Sequence, residues 1–267
     1  MKLDICIPVL NQEESTQKTL DSLKRLQKFD NRYIIIDNGS TRFVRDWLKG
    51  LSGDDIVIRN PQNVGLPKAL NQALQISNAD YVFNTHSDIE MFEQDWDLKT
   101  IQAIEEANKI QTVGVAGYFG AMGIGRWDIY KNPYEMYQLV RTNPVAGNRC
   151  KLDPAIHHHM QFNSNWQKCA VLDGFSLIVK NDGVLKFWSE SVHHMYDNDI
   201  CLASYNLGMQ VITINMDVIH YGGRTDVGED WASPFGKTKQ EIHSEAHLPF
   251  YNKWAPNKQN ITLPFNV

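Results

Sequence analysis

Cysteine is scarce in this sequence, and the few residues present are scattered. No two of them form a CxxC pair, which excludes the common zinc ribbons and zinc fingers. Four thiols in 267 residues are also far from the cysteine density of a small disulfide-stapled domain. We therefore expect a cytoplasmic protein whose thiols stay reduced, with cysteines at Cys6, Cys150, Cys169 and Cys201.

Long hydrophobic runs are missing as well. A membrane helix needs about 18 or more apolar residues in succession, and no stretch of the chain approaches that length. The opening MKLDICIPVLNQEES carries an acidic residue, Asp4, and lacks the small-residue cleavage site of a secretory leader. We expect no transmembrane segment, and we interpret the opening apolar run as a strand.

Two common phosphate-binding loops are absent too. The sequence contains neither GxxxxGK[ST] nor a GxGxxG that follows a strand, because GAMGIG (120–125) lies in an irregular segment and opens no helix. P-loop, kinase and nicotinamide-dependent functions thereby lose their main support. The net charge of −5 gives no general attraction to nucleic acid or to anionic membranes.

Short β-branched runs alternate with helical patterns through the first 120 residues. LDICIPVL (3–10), RYIIIDNGS (32–40) and ADYVFNTHSD (79–88) predict strands, with helical spacing of leucines between the first two. A further helix is predicted over TRFVRDWLKGL (41–51). This alternation predicts an α/β fold with a mostly parallel central sheet of Rossmann-like βαβ units.

The alternation breaks between residues 121 and 168. Glycine, proline and asparagine recur there among aromatic residues, so we expect an inserted irregular segment or lid. The segment has a local charge of +3, from six basic and three acidic residues. We expect residues 1–223 to form the main domain and residues 224–267 to form a C-terminal tail packed on it. A short helix is predicted in this tail, around Lys237 to Ala246.

Ligand-type side chains stand at the ends of the predicted strands. Because the carboxyl ends of parallel strands share one edge of a sheet, Asp37, Asp88 and His220 are expected to converge there. A carboxylate and an imidazole suit Mg²⁺ or Mn²⁺ whose remaining ligands are phosphate and water. Taken singly, however, Asp88 also suits a turn cap, and His220 suits a hydrogen-bonded core histidine.

Seven segments, in this order, resemble the GT-A fold glycosyltransferases of family 2. They span residues 3 to 223 and read ICIPVLNQEE, IIIDNGS, NVGLPKALNQAL, YVFNTHSDIEM, LDGFSLIV, YDNDICLASYNLG and IHYGG. The resemblance implies transfer of a sugar from a nucleotide diphosphate sugar to an acceptor hydroxyl, with inversion and with assistance from Mn²⁺ or Mg²⁺.

The same resemblance implies roles for individual residues. Asp88 matches the last residue of the family's DxD element and is expected to bind the metal with His220. Asp197 matches the catalytic base and Asp199 a later aspartate, although both also suit helix capping. Expected nucleotide or sugar contacts are Pro8, Asp37, Asn63, Gly65, Lys68, His86, Ser87, Asp173 and Gly174.

The sequence departs from the family pattern at two positions. His86 stands where the first DxD aspartate is usual, and Tyr196 replaces the glutamate beside the base. The expected acceptor is a glycan or glycoconjugate. Two alternatives stay open: an enzyme acting on modified nucleic-acid bases, suggested by the basic segment at 121–168, and a catalytically silent nucleotide-sugar binding protein.

Overall fold

The computed structural model describes residues 1–121, 145–147, 164–221 and 231–254. Most of the predicted insertion and parts of the C-terminal tail therefore lie outside the described residues. In the described part the α-helices are α1 (Glu13–Leu26), α2 (Leu66–Ile76), α3 (Trp96–Asn108), α4 (Tyr196–Asn206) and α5 (Lys239–Trp254).

The β-strands fall into three sheets. The strands of the large sheet are β1 (Leu3–Val9), β2 (Arg32–Asp37), β3 (Ile56–Arg59), β4 (Tyr81–Thr85), β6 (Val113–Gly117), β9 (Trp166–Lys168), β11 (Ser176–Lys180) and β12 (Gln210–Ile214). The smaller sheets contain β5 (Ile89–Met91) with β13 (Val218–His220), and β7 (Phe119–Ala121) with β8 (Val145–Gly147) and β10 (Val171–Leu172).

The large sheet has the strand order β3-β2-β1-β4-β11-β6-β12-β9. Strands β3, β2, β1 and β4 pair in parallel, as do β6 and β12, while β11 runs antiparallel between β4 and β6. The predicted α/β fold with a mostly parallel central sheet is confirmed.

Helices cover both faces of the large sheet, which explains why its central strands are apolar almost throughout. On one face Cys6 and Ile34 pack with α2, α4 and α5. On the other face Ile5 and Ile35 pack with α1 and α3. Because successive side chains of a strand point to opposite faces, a strand covered on both sides needs apolar residues at nearly every position.

The helix predicted over 41–51 is wrong. The structure has a single 3-10 turn there, Val44–Asp46. The Asp37 carboxylate accepts hydrogen bonds from the backbone N–H groups of Ser40 and Val44, which fixes the chain as a loop after β2. The spacing of Val44 and Leu48 does reflect burial of both residues, but within this loop.

Two other elements differ in extent from the prediction. The C-terminal helix continues to Trp254 through Pro249, because Phe250 and Trp254 are buried against the sheet and their burial offsets the poor helical fit of proline. The run QVITINMDVIHYGG (210–223), which predicts a single strand, instead contains the two strands β12 and β13. The proposed division into 1–223 and 224–267 stays a prediction.

The pairing of β13 with β5 is the feature that positions the site. His220 lies opposite Ile89, and the backbone N–H of Tyr221 donates to the Asp88 carbonyl over 2.9 Å. The end of β13 is thereby held beside the end of β4, although the two lie far apart in sequence. None of the helices in the described residues is long and apolar enough to cross a membrane.

Candidate active site

A pocket opens at the carboxyl edge of the parallel strands. Together with the solvent space at its mouth it encloses about 750 Å³. Five residues predicted from the sequence line it: Pro8, Asn63, His86, Ser87 and Asp88. The structure adds a group that the sequence did not indicate: Val9, Leu10, Asn38, Leu66, Val192, His193 and Trp231.

Two histidines and an aspartate lie close together at this edge of the sheet. His220 Nε2 lies 3.3 Å from Asp88 Oδ1 and 3.3 Å from His86 Nδ1. His86 Nδ1 lies 4.0 Å from Asp88 Oδ1. The Phe175 ring stacks on the His220 imidazole with their centroids 4.7 Å apart, which fixes the plane of that imidazole. The predicted pairing of Asp88 with His220 thus gains His86 as a third member.

The three donor atoms fit a divalent metal ion. Atoms 3.3–4.0 Å apart can share an ion at bond lengths of roughly 2.1 Å. Burial, and then the neighbouring His220, lower the pKa of His86, so its imidazole is neutral and keeps a nitrogen lone pair. Neutral imidazole and ionised carboxylate are the forms that bind metals.

Asp197 lies in the first turn of α4. Burial, and then the Asp173 carboxylate, raise the pKa of Asp197 to about 7. Asp173 also acts on the pKa of His86, so it lies within electrostatic range of both groups. A carboxylate that titrates near neutral pH is suited to accept a proton during catalysis.

Asp199 points elsewhere, although only one residue separates it from Asp197. Its carboxylate accepts hydrogen bonds from Lys253 Nζ (2.9 Å) and Trp254 Nε1 (2.7 Å), and the side chain is 2% exposed. Residues two apart on a helix do not share a face. The structure therefore separates the two predicted catalytic carboxylates and places Asp199 against the C-terminal helix.

The remaining predicted contacts are spread around the pocket. Asn63 accepts from Asn38 Nδ2 (2.8 Å) and donates to the Trp231 carbonyl (3.0 Å), so it ties three segments together. Gly65 has φ of 91°, and a Cβ there would lie 3.0 Å from the Val192 carbonyl oxygen, which explains the glycine.

Other predicted contacts lie off the lining. Asp37 is fully buried and engaged with backbone N–H groups, with Arg59 3.8 Å away. Lys68 is exposed on the first turn of α2. A Cβ on Gly174 would lie 2.1 Å from the Tyr196 hydroxyl, so only glycine fits beside that ring.

Two aromatic residues of the pocket wall were missed. The rings of His193 and Trp231 lie with centroids 4.6 Å apart, one on the loop before α4 and the other in the C-terminal segment. Asn38 could have been found, since it follows Asp37 at a strand end. Trp231 carried no local signal, because only tertiary packing brings it to the pocket.

The family model for glycosyl transferase family 2 matches residues 4–160, more than half of the chain, and the chain belongs to this family. The resemblance seen in the sequence and the expected enzyme class are confirmed. No curated protein matches the chain.

Solved structures show the same fold at low identity. Mannosyltransferase PcManGT from Pyrobaculum calidifontis, in complex with GDP-Man and Mn²⁺, is 16% identical with a TM-score of 0.54, over 98% of this chain and 76% of that one. S. aureus TarS is 15% identical with a TM-score of 0.54, over 97% and 74%. A mycobacterial protein is 12% identical with a TM-score of 0.55, over 94% and 74%.

Proposed function

We propose that this glycosyltransferase transfers a sugar from a nucleotide diphosphate sugar to an acceptor hydroxyl with inversion and with the help of a metal ion. The observation that carries the proposal is the cluster of His86, Asp88 and His220, two members of which line the pocket. Support for the donor class comes from similar structures solved with GDP-Man and Mn²⁺ and with UDP-GlcNAc.

The three clustered residues would hold Mn²⁺ or Mg²⁺. A bound ion would stabilise the negative charge that develops on the leaving diphosphate. We assign the nucleotide to the surrounding pocket wall, which Pro8, Asn38, Asn63 and Ser87 line. Asp37, Gly65 and Lys68 would support that wall, and Asp173 and Gly174 would lie against the sugar.

Asp197 is the proposed base. In its ionised form it would accept the proton of the acceptor hydroxyl while the oxygen bonds to the anomeric carbon and the carbon–diphosphate bond breaks. A single displacement of this kind inverts the configuration. We propose that Asp199 serves instead to hold α5 against α4, since Lys253 and Trp254 occupy its carboxylate.

The acceptor is proposed to be a glycan or glycoconjugate. The alternative of a nucleic-acid acceptor depended on the basic segment at 121–168, whose charged residues other than Lys168 lie outside the described residues. Lys168 donates to Gln111 on the protein surface. A silent binding protein would show no sugar transfer and no donor hydrolysis in Mn²⁺, and so would be recognised directly.

The proposal can be tested by thermal shift with UDP, GDP, dTDP and CDP, each with and without Mn²⁺. One nucleotide should raise the melting temperature more in Mn²⁺ than without it, since a ligand at 100 times its dissociation constant adds about 2.7 kcal/mol of stability. Asp88→Asn should remove the Mn²⁺-dependent part. The matched control Glu106→Gln, at an exposed site on α3, should respond like wild type.

Two results would contradict the proposal. A shift of equal size in Asp88→Asn and wild type would reduce Asp88 to a turn cap. Absence of any shift with all four nucleotides would remove the support for a nucleotide donor.

A further inference from the structure

The two positions at which the sequence departs from the family pattern contact each other. His86 Nε2 lies 3.1 Å from the Tyr196 hydroxyl, although the residues are 110 positions apart. One replaces an acid at the end of β4, and the other replaces an acid at the start of α4. Together the two replacements create one histidine–tyrosine contact at this edge of the sheet.

That contact decides which nitrogen of His86 faces the metal cluster. Nδ1 faces His220 and Asp88, and Nε2 faces Tyr196. When Nε2–H donates to the Tyr196 oxygen, the proton is absent from Nδ1, and its lone pair is directed at the other two donor atoms. Partners of this kind on the far nitrogen commonly fix the tautomer and orientation of a metal-binding histidine.

The surroundings of Tyr196 hold its hydroxyl in one position beside His86 Nε2. The side chain is 4% exposed and starts α4 after Met195, whose backbone is left-handed with φ of 65°. The Phe187 ring packs edge-on against the Tyr196 ring, with the centroids 6.0 Å apart. Gly174 leaves room for the Tyr196 hydroxyl, because a Cβ on Gly174 would lie 2.1 Å from it. The phenol is therefore a rigid support and not a mobile contact.

We infer that Tyr196 is a positioning residue that makes His86 a third metal ligand, and that the resulting two-histidine, one-carboxylate site prefers Mn²⁺ or Co²⁺ to Mg²⁺. The chemical reason is the donor set: imidazole nitrogen is a better ligand for first-row transition-metal ions than for Mg²⁺, which prefers oxygen ligands and retains its waters. This inference rests on the metal site of the proposed function and extends it to ion choice.

The test measures binding of the metal alone, without nucleotide. Isothermal titration of Mn²⁺, Co²⁺ and Mg²⁺ is compared for wild type, Tyr196→Phe, His86→Ala and His86→Asp. Tyr118→Phe is the matched control, because it removes another buried hydroxyl, the one paired with Thr100. Melting temperatures confirm that each variant is folded.

Wild type should bind Mn²⁺ and Co²⁺ at least tenfold more tightly than Mg²⁺. Tyr196→Phe should weaken Mn²⁺ binding roughly 10–100-fold, the usual cost of losing such a supporting group, while Mg²⁺ changes little. His86→Asp should shift the preference towards Mg²⁺. Pulsed electron paramagnetic resonance of bound Mn²⁺ should show couplings to two imidazole nitrogens in wild type and to one in His86→Ala.

The failure of this inference is distinguishable from the failure of the proposed function. If Asp88→Asn abolishes Mn²⁺ binding but Tyr196→Phe and His86→Ala bind as wild type, the metal site stands and the role of Tyr196 is overturned. The same holds if wild type shows one imidazole coupling. If wild type binds none of the three ions, this inference fails, and the thermal shifts with nucleotide and Mn²⁺ decide the proposed function separately.

Discussion

Asp197 and Asp199 differ in surroundings although a single residue separates them. Burial, and then the Asp173 carboxylate, raise the pKa of Asp197 to about 7. Asp199 is enclosed by the donors of Lys253 and Trp254. The resemblance to the family implied chemistry for both residues, and the packing of α5 supplies the distinction that sequence spacing could not.

We expect Asp197→Asn to keep donor affinity and to reduce turnover by roughly 10²–10⁴-fold, the usual contribution of a general base. Donor affinity is measured by titration and turnover at saturating donor. In wild type, turnover should rise with pH through about 7, because only the ionised carboxylate accepts a proton. Asp173→Asn should lower the midpoint of that rise, since it removes a neighbouring negative charge.

The outcome can contradict the assignment in two ways. Normal turnover in Asp197→Asn with none in Asp199→Asn would exchange the two roles. Normal turnover in both would remove the proposed mechanism.

Other pocket residues show why strand ends were predictable and loops were not. His86 and Asp88 follow an apolar strand, and the rule that parallel strands end at one edge was enough to place them. Trp231 and His193 meet through the packing of the C-terminal segment on the loop before α4. No periodicity or turn signal in either segment specifies that contact.

At the scale of elements, the Asp199 carboxylate links α4 to α5 by hydrogen bonds. Asp199→Ala should lower the free energy of unfolding by roughly 1–3 kcal/mol, since it leaves the buried indole donor of Trp254 without its acceptor. Urea unfolding with an unchanged slope measures this cost. The affinity of this variant for the nucleotide-sugar donor should stay close to that of wild type.

Trp254→Phe is the companion variant, because it removes the donor and keeps an aromatic side chain. It should cost less than Asp199→Ala. If Asp199→Ala were as stable as wild type but inactive, the carboxylate would belong to the chemistry and not to the junction.

Elements with strong apolar patterns were predicted, and those decided by side-chain hydrogen bonds were not. The βαβ units follow from runs such as Tyr33 to Ile36, which are buried on both faces. The loop at 41–51 was mistaken for a helix because the Asp37 hydrogen bonds that hold it have no signature in spacing. The extension of α5 was missed because Pro249 normally indicates an end.

At the scale of the whole molecule, the histidines between α5 and the loop before α4 make stability depend on pH. Burial lowers the pKa of His247 to about 4 and that of His194 to about 2. Between those values and about 6.5 the unfolded chain binds protons that the native protein does not. These two histidines should therefore lower stability as the pH falls below about 6.5. Asp197 acts in the opposite sense, because its pKa is raised to about 7 and the native protein holds a proton that the unfolded chain has already released.

We expect the melting temperature of wild type to fall, relative to that of His247→Leu, as the pH is lowered from 7.5 to 5, because the leucine side chain stays buried and does not titrate. Leu248→Ala, at an exposed position on the same helix, should leave the slope unchanged. A slope that is the same in wild type and His247→Leu would contradict the assignment of the pH effect to this residue.

The strand order has a consequence for the protein as it leaves the ribosome. Strand β6 pairs only with β11 and β12 within the described chain, and both are synthesised later. One edge of β4 likewise stays unpaired until β11 has been synthesised. A nascent chain that ends near residue 121 therefore presents unpaired apolar edges, which attract chaperones or other chains. The large sheet cannot be completed until β12 has emerged, and the cluster of His86, Asp88 and His220 cannot form until β13 has followed it.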